Sequence, residues 1–205
     1  MDDTASIGGH RNIYKDLLTR LADADIAASA KRLELAVNAS GEAEVPFLGM
    51  TFFVSNQGVR RIDGRGFGDA VGSVLAHYIL NGSRSRPAGQ FVTFSELAGP
   101  LFKQAGYSQG ALERPVIQRF QGRVPELMAA AVLLGGRLGG EGGLGAQSLI
   151  FELLPHIELQ LIFYDRDDEF PARATLLLDR NATQLIEFEV VAVLATIFVH
   201  TLTKG

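Results

Sequence analysis

The chain has no cysteine among its 205 residues. That absence excludes disulfides, thiolate-held zinc, iron–sulfur ligation by thiolate and cysteine nucleophiles. A strong charge of either sign is also missing: 19 basic residues against 23 acidic ones leave a formal net charge of −4. Such a balance gives no electrostatic reason to approach nucleic-acid phosphates or anionic lipid. Neither nucleic acid nor a membrane is therefore expected as a partner. Long apolar runs are scarce as well. The most apolar window, VVAVLATIFV at 190–199, is too short to cross a bilayer and is flanked by Glu189 and His200. The opening stretch MDDTASIGGH begins with acids and has no basic region leading into an apolar one, so no secretory signal is read there. The expectation is a soluble cytoplasmic protein.

Motifs of catalysis are absent too. No G-x-S-x-G marks a nucleophile elbow, and no G-x-x-x-x-G-K-[ST] marks a phosphate loop. The four histidines, His10, His77, His156 and His200, never fall within one helical turn of each other, so no local metal-ligand pair exists and no metal is expected. Glu96, Glu113, Glu152, Asp179 and Glu187 carry no spacing that pairs any two of them for acid–base work.

What is present reads as alternating helices and antiparallel strands. Ile13, Leu17, Leu18, Leu21, Ile26 and Leu33 recur at mostly helical intervals, which predicts a helical N-terminus over about 10–36. Aromatic and β-branched residues from Val45 to Val54, then Ser55-Asn56-Gln57-Gly58, predict a hairpin or small meander over about 43–63. Helices are expected within about 66–134. The first carries Phe67, Val71, Val74, Leu75, Tyr78 and Ile79 on one face and stops at Asn81-Gly82. A short extended piece at Phe91–Phe94 precedes a helix for which Ser95 is the candidate cap. Period-two alternation predicts antiparallel strands over about 146–179, and an apolar helix is expected over about 187–204 with Glu189, Thr196, His200 and Thr203 on its polar edge. No internal repeat and no low-complexity linker divides the chain. The fold class is α+β, a single domain with antiparallel β-hairpins or a sheet packed against several amphipathic helices.

GEGGLG at 140–145 has the G-x-G-x-x-G spacing of a dinucleotide loop. Such a loop follows a strand and opens a helix, so that helix N-terminal amides face the pyrophosphate. Here a helix is expected before it and a strand after it, which favours a connector, with contact to a ligand bound elsewhere as the alternative. The acidic run DRDDEFP at 165–171 begins like a calcium loop, but Phe170 stands where the turn glycine is needed and Leu176 where the bidentate Glu is needed. A solvated hairpin tip is expected. Arg60, Arg61, Arg65, Arg84 and Arg86 form a basic grouping that is either scattered surface charge or a receptor for a small anion. His77 reads as a packed residue at the edge of its helix stripe, or as an axial ligand to a tetrapyrrole. His156 stands at a proline-marked strand junction.

LLPHIELQLIFYDRDDEFPARATLLLDRNATQLIEFE resembles the pattern of a family called domain of unknown function 3786, and AVGSVLAHYILNGS, FVTFSELAG and the LLGG step fit it as well. The family is known from bacteria and archaea, many of them anaerobes, and some relatives carry a further cysteine-rich iron–sulfur segment. The resemblance implies a setting near anaerobic redox or corrinoid enzymes. His156 and Glu158 depart from its pattern, which favours a basic residue and a proline there. The matching residues Leu154, Pro155, Asp168, Phe170, Pro171, Leu178 and Asp179 are mostly those that build a strand pair and its turns.

The leading expectation is a non-enzymatic binding or accessory protein of anaerobic metabolism. Its partner would be a corrinoid, tetrapyrrole-like or other apolar cofactor held between helices and sheet, or a partner enzyme; the cofactor itself is not identified by these residues. His77, Tyr78, His156 and Asp179 are the candidate ligand-binding residues. Two alternatives stand beside it: a small enzyme in which those four groups converge as acids and bases, and an adaptor using an apolar face of the last helix formed by Phe188, Val191, Ala195 and Phe198.

Overall fold

The computed structural model describes residues 4–98, 110–140, 143 and 145–204, with side chains from residue 11 onward. Half of the GEGGLG stretch (Glu141, Gly142, Leu144) and the side chain of His10 lie outside the described residues.

Two helices open the chain, α1 (Thr4–Ala22) and α2 (Ile26–Leu33). Asp25 caps the second by accepting from the Ala28 amide at 2.9 Å, which satisfies one of the unpaired donors of a helix start. A three-stranded meander follows: β1 (Ala43–Phe47), β2 (Met50–Ser55) and β3 (Gly58–Arg61), each antiparallel to the next. Leu48-Gly49 turns β1 into β2, with φ of 49° and 76°. A Cβ on Gly49 would stand 2.5 Å from the Leu133 carbonyl oxygen, so close approach as well as backbone conformation requires glycine there. Helix α3 (Asp69–Asn81) then crosses behind the meander. It ends at Gly82 as expected, but through a side chain rather than a left-handed glycine. The Arg32 guanidinium donates to the carbonyls of Ile79 at 2.7 Å and Gly82 at 2.8 Å, whereas Gly82 has an ordinary φ of −56°.

The helical stretch expected over 66–134 is interrupted by β4 (Phe91–Thr93), which leads into α4 (Phe94–Ala98). The cap of α4 is Thr93, not Ser95. Thr93 Oγ1 accepts from the Glu96 amide and Glu96 Oε2 accepts from the Thr93 amide at 2.9 Å, a reciprocal capping box that uses the last strand residue. Then come α5 (Glu113–Phe120), α6 (Val124–Leu133) with Pro125 in its first turn, and the two-residue strand β5 (Arg137–Leu138). Strands β6 (Ala146–Leu154), β7 (Ile157–Tyr164) and β8 (Arg173–Asp179) form consecutive hairpins. A single turn, α7 (Ala182–Leu185), precedes the final helix α8 (Phe188–Lys204).

The second sheet has the order β4-β8-β7-β6-β5 and is antiparallel throughout. Its register places Leu149, Phe151, Leu159, Leu161, Leu176 and Leu178 on one buried face. Helix α8 runs across that face, touching α3, α5, α6 and β6, with the Phe198 ring 4.7 Å from that of Phe151. Phe188, Val191, Ala195 and Phe198 are all buried inside the monomer. The apolar face on which an adaptor role depended is therefore spent on the protein's own core. Glu189, Thr196 and His200 lie on the exposed edge, as the periodicity predicts. No described helix is long and apolar enough to cross a membrane.

Candidate functional site

Pro155 and His156 form the two-residue turn between β6 and β7. Proline at the first central position and a φ of 68° at the second fit a type II turn, a geometry that favours glycine or asparagine at the position His156 occupies. The strained backbone is held from both sides. The His156 amide donates to Glu152 Oε1 at 3.0 Å, and Arg86 Nη1 lies 3.2 Å from His156 Nε2. Arginine has only donors, so the imidazole nitrogen accepts. The same Arg86 pairs with Glu34, itself at φ 58° where α2 ends. Glu34, Glu44, Glu152 and His156 thus line a cleft of about 320 Å³ between α2, β1 and this turn.

Tyr78 reaches the same turn from α3. Its hydroxyl is buried and donates to the Pro155 carbonyl at 3.1 Å; burial, with the Glu152 charge nearby, pushes its ionisation well above the usual phenol range. Asp179 stands at the far end of β8, fully buried, accepting from the amides of Ala88 at 2.8 Å, Gly89 at 2.7 Å and Asn181 at 2.9 Å. The segment 83–90 links these residues, since Arg86 belongs to it and its carbonyl accepts from Asn181 Nδ2 at 2.9 Å.

His77 points elsewhere. Its Nε2 is 3.3 Å from Glu187 Oε2 without an aligned hydrogen bond, and burial lowers its pKa against the attraction of Glu187. The four sequence candidates therefore form no acid–base pair. Tyr78 and Asp179 are anchors for backbone, and His77 lines neither cleft.

The basic grouping does not converge on an anion. Arg60 pairs with Glu42, Arg61 and Arg65 with Asp63, and Arg84 and Arg86 with Glu34. The acidic hairpin tip binds its own backbone: Asp167 Oδ1 accepts from the amides of Glu169 at 2.8 Å and Phe170 at 2.7 Å, which holds its carboxyl below the usual range. No group of metal-ligating residues occurs among the described residues. The glycine-rich stretch joins β5 to β6. An added Cβ on Gly139 would stand 2.5 Å from Ser148 Oγ, and one on Gly143 would stand 3.1 Å from the Tyr164 hydroxyl. These glycines pass close over the sheet, and no helix begins after them.

A larger cleft of about 460 Å³ opens between β8 and α5. It exists because β4 pairs only with residues 177–179 of β8, leaving the edge from Arg173 to Leu176 without a described partner strand. Phe94, Leu112, Ile117, Ala174 and Leu176 give it apolar walls. Thr93, Ser95, Thr175 and Glu113 supply polar groups, and Arg114 and Arg173 stand at it as cations. The Arg173 guanidinium lies over the Tyr164 ring at 5.0 Å and its charge is felt by Asp167, whereas Arg114 forms no ion pair with a carboxylate among the described residues. Sequence reasoning passed over both arginines because they lie on elements far apart in the chain; a cation in the first turn of α5 was the one available signal.

These features define an α+β protein whose larger cleft joins apolar walls to charged groups. The chain belongs to the family described as Domain of unknown function (DUF3786), whose model matches residues 25–201. The matched span contains both clefts and every candidate residue above. No curated protein and no solved structure matches the chain.

Proposed function

We propose that this chain is a non-enzymatic binding or accessory protein that takes a small ligand in the β8–α5 cleft. The observation that carries this reading is the cleft itself: about 460 Å³ of space between helix and sheet, with apolar walls and a few polar groups, in the size range of small-molecule sites. The engagement of Tyr78 and Asp179 in fixed backbone hydrogen bonds supports binding over catalysis. Among the described residues no histidine lines this cleft, so a corrinoid or haem seated here would have no imidazole from them as axial ligand; an apolar ligand without a metal fits the lining better. The setting in anaerobic metabolism belongs to the same proposal and is supported by the family resemblance.

Native mass spectrometry of the protein isolated anaerobically from its source tests the reading, with a small added mass as the expected result. The site is then checked with Ser95→Cys, which introduces the chain's sole thiol at an exposed position on the cleft. Labelling it with a bulky maleimide should abolish the added mass. A ligand retained after complete labelling, or a bare monomer from every preparation, would overturn the proposal.

A further inference from the structure

The geometry points to a particular ligand chemistry: we infer that the β8–α5 cleft takes a monoanionic amphipath, an apolar body bearing one carboxylate, with Arg114 and Arg173 as its receptors. The inference rests on the cleft being the ligand site.

Eight other arginines, Arg11, Arg60, Arg61, Arg65, Arg84, Arg86, Arg119 and Arg137, each stand within 4 Å of a carboxylate, and Arg20 and Arg32 donate to the Asn81 side chain and to backbone carbonyls. Among the described residues Arg114 and Arg173 stand within 4 Å of no carboxylate, and the same holds for Arg123, Arg166 and Arg180, but Arg114 and Arg173 line one cleft together, the first from α5 and the second from β8. Local stability does not explain Arg114. It sits in the first turn of α5, where the positive end of the helix dipole disfavours a cation. The Arg173 guanidinium carbon lies 5.0 Å from the centre of the Tyr164 ring, a contact that steadies the group; its charge is felt by Asp167, but no ion pair within 4 Å forms among the described residues. A carboxylate matches a guanidinium edge with two parallel hydrogen bonds, and the exposed Thr175 hydroxyl on the same strand adds a donor. Glu113 also lines the cleft; its charge repels a second anionic group and so favours a monoanion. Phe94, Leu112, Ile117 and Leu176 offer an ion nothing, but they bury an apolar body. A neutral or cationic molecule of the same shape would bring neither guanidinium a counter-charge.

The test titrates the protein with 1-naphthoate, 1-naphthamide and 1-naphthylmethylamine, three probes that share one apolar body and differ in charge. The chain contains no tryptophan, so naphthalene fluorescence is read without an indole background. Naphthoate is expected to bind at least about tenfold tighter than the amide, equivalent to about 1.4 kcal/mol, and the amine is expected to bind weakest. Arg114→Gln with Arg173→Gln should erase the preference, so that naphthoate and naphthamide bind about equally. Arg119→Gln, outside the cleft and paired with Glu126, should preserve it. Equal binding of naphthoate and naphthamide, or an undiminished preference in the double variant, overturns the inference and leaves the cleft as a ligand site. If none of the three probes binds yet the Ser95 label still displaces the native mass, the anion chemistry falls alone. If the label also changes nothing, both fall.

Discussion

Asp179 shows how one side chain can look chemical in the sequence and be structural in the fold. Alternation predicts it at a strand end, but not that both its oxygens would be filled by amides of a segment about ninety residues earlier. A buried carboxylate with three backbone donors is a strong anchor, because each charge-assisted bond is made away from water. Asp179→Ala is expected to cost about 3 kcal/mol by leaving the Ala88, Gly89 and Asn181 amides unpaired. Urea denaturation measures this, and a loss below about 1 kcal/mol would mean that the segment re-forms its bonds with water. Tyr78 follows the same pattern. Its helical position was legible from period alone, whereas its hydroxyl partner, the Pro155 carbonyl, is supplied by a turn that only the folded sheet brings near.

At the scale of elements, the sequence shows faces better than it shows neighbours. The stripe on α3 was readable, but Gly72 in its middle was not readable as a contact. Tyr14 of α1 lies flat against it, so an added Cβ would stand 2.5 Å from the Tyr14 ring. Gly72→Ala therefore sets a gain in helix propensity of roughly 1 kcal/mol against overpacking that typically costs 1 to 3 kcal/mol. The ring is also held edge-on to Phe67, which limits its escape, so net destabilisation and a lower thermal midpoint are expected. A rise in the midpoint would show that α1 shifts freely on α3. Strand β4 escaped the sequence reading as a sheet member for a related reason. It has three residues and no hairpin partner nearby, and its register with β8 joins segments some 85 residues apart.

For the whole molecule, the pH response follows from groups that folding removes from water. His77, half-buried on α3 beside Glu187 and near Arg20, has a folded pKa below 6.5 because partial burial disfavours its charged form. The unfolded chain therefore binds the proton more readily, so the stability from this site is present above pH 6.5 and is lost as pH falls through the folded value. Urea midpoints at pH 7.5 and 5.5 should drop further for the wild type than for His77→Gln; equal drops would place the acid sensitivity elsewhere. Glu42 adds to the response only at much lower pH, since its bonds to Arg60 and Asn38 pull its pKa down to about 2. Composition and periodicity by themselves determined the α+β class, the antiparallel hairpins, the apolar final helix and the exclusion of thiol chemistry. Those properties depend on local steric preference and on residue types being present or absent. The tertiary structure alone decided that the final helix is core, that the arginine grouping is neutralised, and that Arg114 and Arg173 line one cleft beside the β8 edge. Pairing across long stretches of chain depends on where the sheet's register and the helix packing place each side chain, and no local pattern encodes that.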